Sequence, residues 1–157
     1  MIPDYLIENI NRYVNLENIN YSCVETVHLE NIQPTSNILK LGCIINIEKV
    51  NNIKRINKFH NKAFELLDHE GIYVSCVETI TQRKIKFKNK IPLGFKSLFL
   101  TIDFIFKRVI PKLPLTKQLY FAVTHGHNRV LSKAEALGRL SSCGFKLLNT
   151  FHYKNRL

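Results

Sequence analysis

The sequence predicts an α/β fold with a mostly parallel sheet and flanking helices, and three observations predict it. The runs Leu39–Ile47 and Ile72–Thr79 have strand length and are largely apolar without alternation, as in strands buried on both faces. Between them, Ile53–Asp68 carries apolar residues at spacings of three and four, the period of a crossover helix. A second well-marked helix begins at Ser132 and runs into a last apolar stretch, repeating the helix-then-strand alternation of a parallel sheet.

In chain order, Tyr5–Val14 reads as a short helix and Tyr21–Leu29, rich in Val, Cys and Thr, as a strand. Gln33-Pro34-Thr35-Ser36-Asn37 is a turn. The strand at Leu39–Ile47 leads to the helix at Ile53–Asp68, whose inner face is expected to be Ile53, Ile56, His60, Ala63, Phe64 and Leu67. Gly71 stands where a helix C-cap glycine belongs. The strand Ile72–Thr79 is followed by Arg83–Lys90, where bases alternate with Ile85, Phe87 and Asn89. Phe95–Ile110 is the strongest helix, with Phe95, Leu98, Phe99, Ile102, Ile105, Phe106 and Val109 on one face, and Pro111-Lys112-Leu113-Pro114 ends it. Gln118–Val123 fits a short strand or a helical turn. Ser132 and Glu135 form an S-x-x-E capping box, so removing the Ser132 hydroxyl should cost about 1 kcal/mol. Gly144 closes that helix, and Phe145–Tyr153 is expected as the final strand. Residues 1–37 form an N-terminal segment with one strand and residues 38–157 the α/β domain, within a single domain overall.

The 157 residues suffice for one genuine core, and 45% hydrophobic with 22% charged residues argues against disorder. No apolar run reaches the ~18 residues a bilayer crossing needs, and Met1–Tyr5 lacks the basic head of a secretory signal. Cys23, Cys43, Cys76 and Cys143 lack C-x-x-C spacing and read as buried thiols of a reducing cytoplasm. The net charge is +11 and uneven. Between Glu78 and Glu135 the only acid is Asp103, while bases crowd the same stretch. Such a field attracts phosphate groups, whether of lipid, nucleic acid or a small molecule.

Two segments resemble class I methyltransferases. Asn57–Thr79, NKFHNKAFELLDHEGIYVSCVET, is similar to the helix and strand beneath that fold's substrate pocket. Leu131-Ser132 with Glu135, Leu140 and Cys143-Gly144-Phe145 is similar to its later helix, Gly-Phe and strand. The front half that holds the methyl donor has no counterpart. The six glycines, Gly42, Gly71, Gly94, Gly126, Gly138 and Gly144, offer no G-x-G turn after a strand, and no cofactor is expected.

A closer resemblance is to the methyltransferase-like N-terminal portion of bacterial exopolysaccharide sugar transferases, which move a sugar phosphate from a nucleotide sugar onto polyprenyl phosphate. Ile44-Ile45-Asn46, Ile53–Phe59, Cys76-Val77-Glu78-Thr79, Asp103–Arg108, Pro111–Lys117, Asn128–Glu135, Gly138-Arg139-Leu140 and Cys143-Gly144-Phe145 carry it, over about residues 38–151. The resemblance implies a partial methyltransferase-like, Rossmann-like sheet. It also implies a sugar-transferase catalytic domain as partner and a cytoplasmic location peripheral to the inner membrane. That family's phosphotransferase segment follows this region, so its catalytic residues have no matching positions here.

Candidate sites come in two groups. Glu78 and Thr79 end a predicted parallel strand, where open α/β sheets collect ligands, although a strand-end residue also serves to cap the next helix. Arg83, Lys84, Lys86, Lys88, Lys90, Lys96, Lys107, Arg108 and Lys112 surround the aromatic helix and suit an anionic surface, whereas an apolar helix face also suits a core. His125-Gly126-His127 lacks a third ligand nearby and reads as a loop rather than a metal site. No G-x-S-x-G, H-E-x-x-H or D-x-D string occurs, so hydrolase and metal-transferase signatures are absent.

The expected function is a non-catalytic module of an exopolysaccharide sugar-transferase system, docking at the cytoplasmic membrane face. The alternatives are an S-adenosylmethionine-dependent methyltransferase and a basic nucleic-acid-binding domain. No helix-turn-helix, zinc-finger or RNA-recognition string supports the last. An incomplete parallel sheet would also leave an open edge through which copies could associate.

Overall fold

A computed structural model describes residues 4–13, 21–24, 40–88, 94–125 and 127–152. The described residues form an α/β fold on a three-stranded parallel sheet, in the order β1 (Tyr21–Val24), β2 (Leu41–Lys49), β3 (Leu67–Cys76). The helices are α1 (Asp4–Asn11), α2 (Ile56–Leu66), α3 (Ile80–Lys88), α4 (Lys96–Phe104), α5 (Pro114–Thr124) and α6 (Lys133–Ser142).

The central strand β2 explains the apolar run that announced it. Cys43, Ile44 and Ile45 are fully buried, because both faces of the strand are covered. On one face Cys43 and Ile45 meet Leu6 and Ile10 of α1. On the other, Ile44 packs with Val50, Ile56, Phe59, Ala63, Leu66, Val77, Leu131 and Ala136. The described N-terminal residues thus pack onto the sheet: α1 covers one face and β1 pairs with β2. Of the expected strand Tyr21–Leu29, residues 25–29 lie outside the described residues.

Several elements differ from the sequence reading. Helix α2 spans Ile56–Leu66, after a 3-10 turn at Val50–Asn52, and buries Phe59 and Leu66, while Phe64 is half exposed. Gly71 is not a helix cap. Leu67 turns straight into extended backbone, and Gly71 lies within β3 beside a register shift against β2. A Cβ there would stand 2.9 Å from Leu67 Cδ2 and 3.0 Å from the Leu41 carbonyl oxygen, so close backbone approach explains the glycine. β3 ends at Cys76 rather than Thr79, which makes only an isolated parallel bridge to Leu131. The basic stretch after it is helical as far as Lys88, and Gln118–Val123 lies inside α5.

The expected helix Phe95–Ile110 divides. Helix α4 ends at Phe104 and continues as a π turn (Ile105–Val109) and a 3-10 turn (Ile110–Lys112) before Pro114 opens α5. Helix α6 forms as expected with half of its capping box: Ser132 Oγ accepts the Glu135 backbone N–H at 3.1 Å, while the Glu135 carboxylate turns to Arg108, Lys112 and Arg139, and Gly144 follows at φ +94°. The expected final strand does not form. Phe145–His152 runs beside β3 without pairing as a strand, and Tyr153 lies outside the described residues.

Candidate functional site

The C-terminal ends of β2 and β3 meet at a polar junction built on Asn51. Its amide nitrogen donates to the Glu78 carbonyl oxygen at 2.9 Å and to the Arg129 carbonyl oxygen at 2.7 Å, and its Oδ1 accepts the Glu78 N–H at 2.7 Å. One buried side chain thus satisfies three backbone groups from two distant segments. Asn52 Oδ1 accepts the Asn128 N–H at 3.0 Å, and Asn128, at φ +55°, turns the chain toward Leu131. Asn tolerates that left-handed conformation better than most residues.

Glu78 is buried at this junction among cations. Lys49 Nζ and Arg83 Nη1 lie 3.4 and 3.5 Å from its Oε2, and Lys86 Nζ lies 3.7 Å from its Oε1. Arg83 also forks onto Asp103, which Lys107 approaches at 3.3 Å. Burial alone would raise the Asp103 carboxyl; its hydrogen bonds and attraction to Arg83 and Lys107 outweigh that and hold it below the usual carboxylate range. Four cations thus share two carboxylates. Glu135 repeats the pattern with Arg108 at 3.3 Å, Lys112 at 3.5 Å and Arg139 at 3.2 Å. Both clusters leave excess positive charge where the arm α4–α5 joins the sheet.

The contacts holding that arm are largely charged or cation–π: Arg83 to Asp103, Arg108 to Glu135 and the Val130 carbonyl oxygen, and Arg129 against the Phe121 ring at 5.5 Å. Its apolar residues face outward. Phe95, Leu98, Phe99, Ile102, Phe104, Ile105, Phe106, Leu113, Leu119 and Val123 are all exposed, Leu98 at 60% and Ile102 at 57%. Phe87 of α3 packs edge-on against Phe99, and Ile85 beside it is exposed, so α3 extends the same surface.

The sequence candidates separate accordingly. Thr79 is a cap: its N–H and Oγ1 both donate to Gln82 Oε1, at 2.8 and 2.9 Å, and Oγ1 faces the Gln82 N–H at 3.4 Å. This is a T-x-x-Q capping box at the start of α3, a signal legible in Thr79-Ile80-Thr81-Gln82. Glu78 is committed to ion pairs. Arg83 is buried and Lys107 and Arg108 partly buried in the junction, whereas Lys84, Lys86 and Lys112 are exposed and Lys88 ends α3. Lys96 opens α4, and Lys90 lies outside the described residues. The organising residues Asn51, Asp103 and Glu135 carried no motif as a set, because their partners lie 20 or more positions away in most cases.

Among the described residues no group of three His, Cys, Asp or Glu side chains is placed to hold a metal ion. No helix there is long and apolar enough to cross a membrane. Comparison with protein-family models, curated proteins and solved structures finds no match to this chain.

Proposed function

We propose that this chain is a non-catalytic, methyltransferase-like module of a bacterial exopolysaccharide sugar-transferase system, seated by its α3–α5 arm on the anionic cytoplasmic face of the membrane. The string resemblance over about residues 38–151 supports the first part, and the parallel sheet is compatible with it. The observation that carries the docking is the outward apolar face of the arm, with Lys84, Lys86 and Lys112 exposed around it. Apolar area favours the acyl boundary at roughly 25 cal/mol per Å², and each nearby base adds about 1 kcal/mol on an anionic leaflet. An uncharged protein groove would match the apolar face but leave the excess charge of both junction clusters unanswered.

The non-catalytic part is supported by what the strand ends do. Glu78 is neutralised by three cations and Thr79 caps α3, so neither is left to grip a methyl donor or activate a nucleophile.

Sedimentation with phosphatidylserine-containing vesicles tests the docking; binding that weakens with salt is expected, and none at low salt overturns it. Calorimetric titration with S-adenosylmethionine tests the other half, where micromolar affinity would overturn the non-catalytic reading. Retention of DNA or RNA on filters in preference to vesicles would reassign the charge to nucleic acid.

A further inference from the structure

A different feature wraps the free edge of the sheet, reaching α1 on one face and α2 on the other. An open cavity of about 1650 Å³ follows the outer edge of β3, between the sheet, α2, the end of α6 and the segment 144–151. Most of its inner wall is apolar, and one corner is not. Asn46, His60, Tyr73 and Ser75 all line it.

Asn46 and Ser75 are register partners on β2 and β3, and Tyr73 lies two residues before Ser75 on the same face. His60 reaches down from α2 so that its Nδ1 lies 3.2 Å from the Tyr73 hydroxyl, which also feels Ser75 and Asn46. Asn46 is 1% exposed, and neither its Nδ2 nor its Oδ1 has a partner in full hydrogen-bonding geometry, although the amide lies close enough to the Tyr73 hydroxyl to favour its ionised form. A buried carboxamide with both ends so poorly paired is rare and costly, and it calls for a partner carrying an acceptor and a donor side by side.

The corner is uncharged. Burial, helped by the nearby Arg139 charge, lowers His60 to about 4, so its imidazole is neutral at physiological pH. Burial likewise raises Tyr73, which stays a phenol. Beside these groups stands an aromatic wall, where the Tyr73 and Phe145 rings lie 4.9 Å apart at 32° and Phe64 meets Phe145 edge-on at 5.3 Å. Such walls favour a flat ring over a puckered, fully hydroxylated one.

We infer that this corner binds a small, flat, uncharged heterocycle presenting a donor beside an acceptor, as a pyrimidine base or a nicotinamide ring does, with Asn46 reading that edge through a paired hydrogen bond. The inference is independent of the docking surface, since none of these residues belongs to the arm.

The test is a titration of uracil, and separately of nicotinamide, into the isotope-labelled full chain, read by NMR at the His60 ring and the Asn46 side-chain amide. D-glucose serves as a polar, non-planar control. A saturable shift at both groups with a planar probe but not with glucose is expected, weakened about tenfold or more in Asn46→Leu. Should Asn46→Leu lose its folded spectrum, Asn46→Ser removes the same amide with less bulk. The inference is overturned if neither planar probe produces a saturable shift, as for a corner filled by water alone. It is equally overturned if glucose matches them or if the shift survives loss of the amide.

Discussion

Arg83 grips Asp103 with both edges of its guanidinium, Nε donating to Oδ2 at 2.7 Å and Nη2 to Oδ1 at 2.9 Å. The pair joins α3 to α4 across 20 residues, and Arg83 simultaneously faces Glu78 at the end of the sheet. A single side chain therefore couples the strand ends to the apolar arm.

Asp103→Asn should cost about 2–3 kcal/mol at neutral pH, because it replaces charge-assisted hydrogen bonds with neutral ones. The pH dependence has a definite sign. A carboxyl held below its unfolded value contributes stability above the ordinary carboxylate range and loses it as pH falls through the folded value. Urea denaturation should thus show a wild-type advantage that is constant near neutrality and shrinks in acid; a gap independent of pH would refute the ionic account.

Asn51→Ala should be more disruptive than its size suggests. It strands the Glu78 N–H and removes donors from two carbonyl oxygens, for a loss of about 2–3 kcal/mol. Amide exchange should quicken first at Glu78 and around Arg129. Unchanged protection there would mean that the junction does not depend on this side chain.

Gly144→Ala should destabilise by more than about 1 kcal/mol. The residue sits at φ +94°, and an added Cβ would stand 3.1 Å from the Phe64 ring. Thermal unfolding measures it, and a neutral result would show that the α6 terminus relaxes freely.

The doubly substituted arm, Leu98→Asp with Ile102→Asp, should unfold within about 0.5 kcal/mol of wild type, since both side chains point outward. Its vesicle binding should fall about tenfold or more, as two apolar contacts are replaced by charges facing an anionic surface. Equal binding by the variant would place the membrane contact elsewhere.

Much of the α/β frame was legible in the chain, for local reasons. An apolar run without alternation is buried on both faces, and Ser132-x-x-Glu135 with Gly144 bounds a helix from within a dozen residues. These are short-range constraints, so the sequence alone determined β2, α2 and α6 closely, but β3 only in part, since it runs Leu67–Cys76 rather than Ile72–Thr79. Thr79-x-x-Gln82 is equally local, but the alternating bases after it hid α3, which was not expected as a helix. What only the tertiary structure decided depends on partners far apart in the chain. Gly71 serves close packing against Leu41 rather than a helix end. Phe145–His152 lies beside β3 without pairing, although its composition suits a strand, because strand formation requires a hydrogen-bonding neighbour that composition cannot supply. The apolar face of α4 is the sharpest case. Its periodicity fits a core and a surface equally well, and the fold left it outside by anchoring the arm through Arg83, Asp103, Arg108 and Glu135.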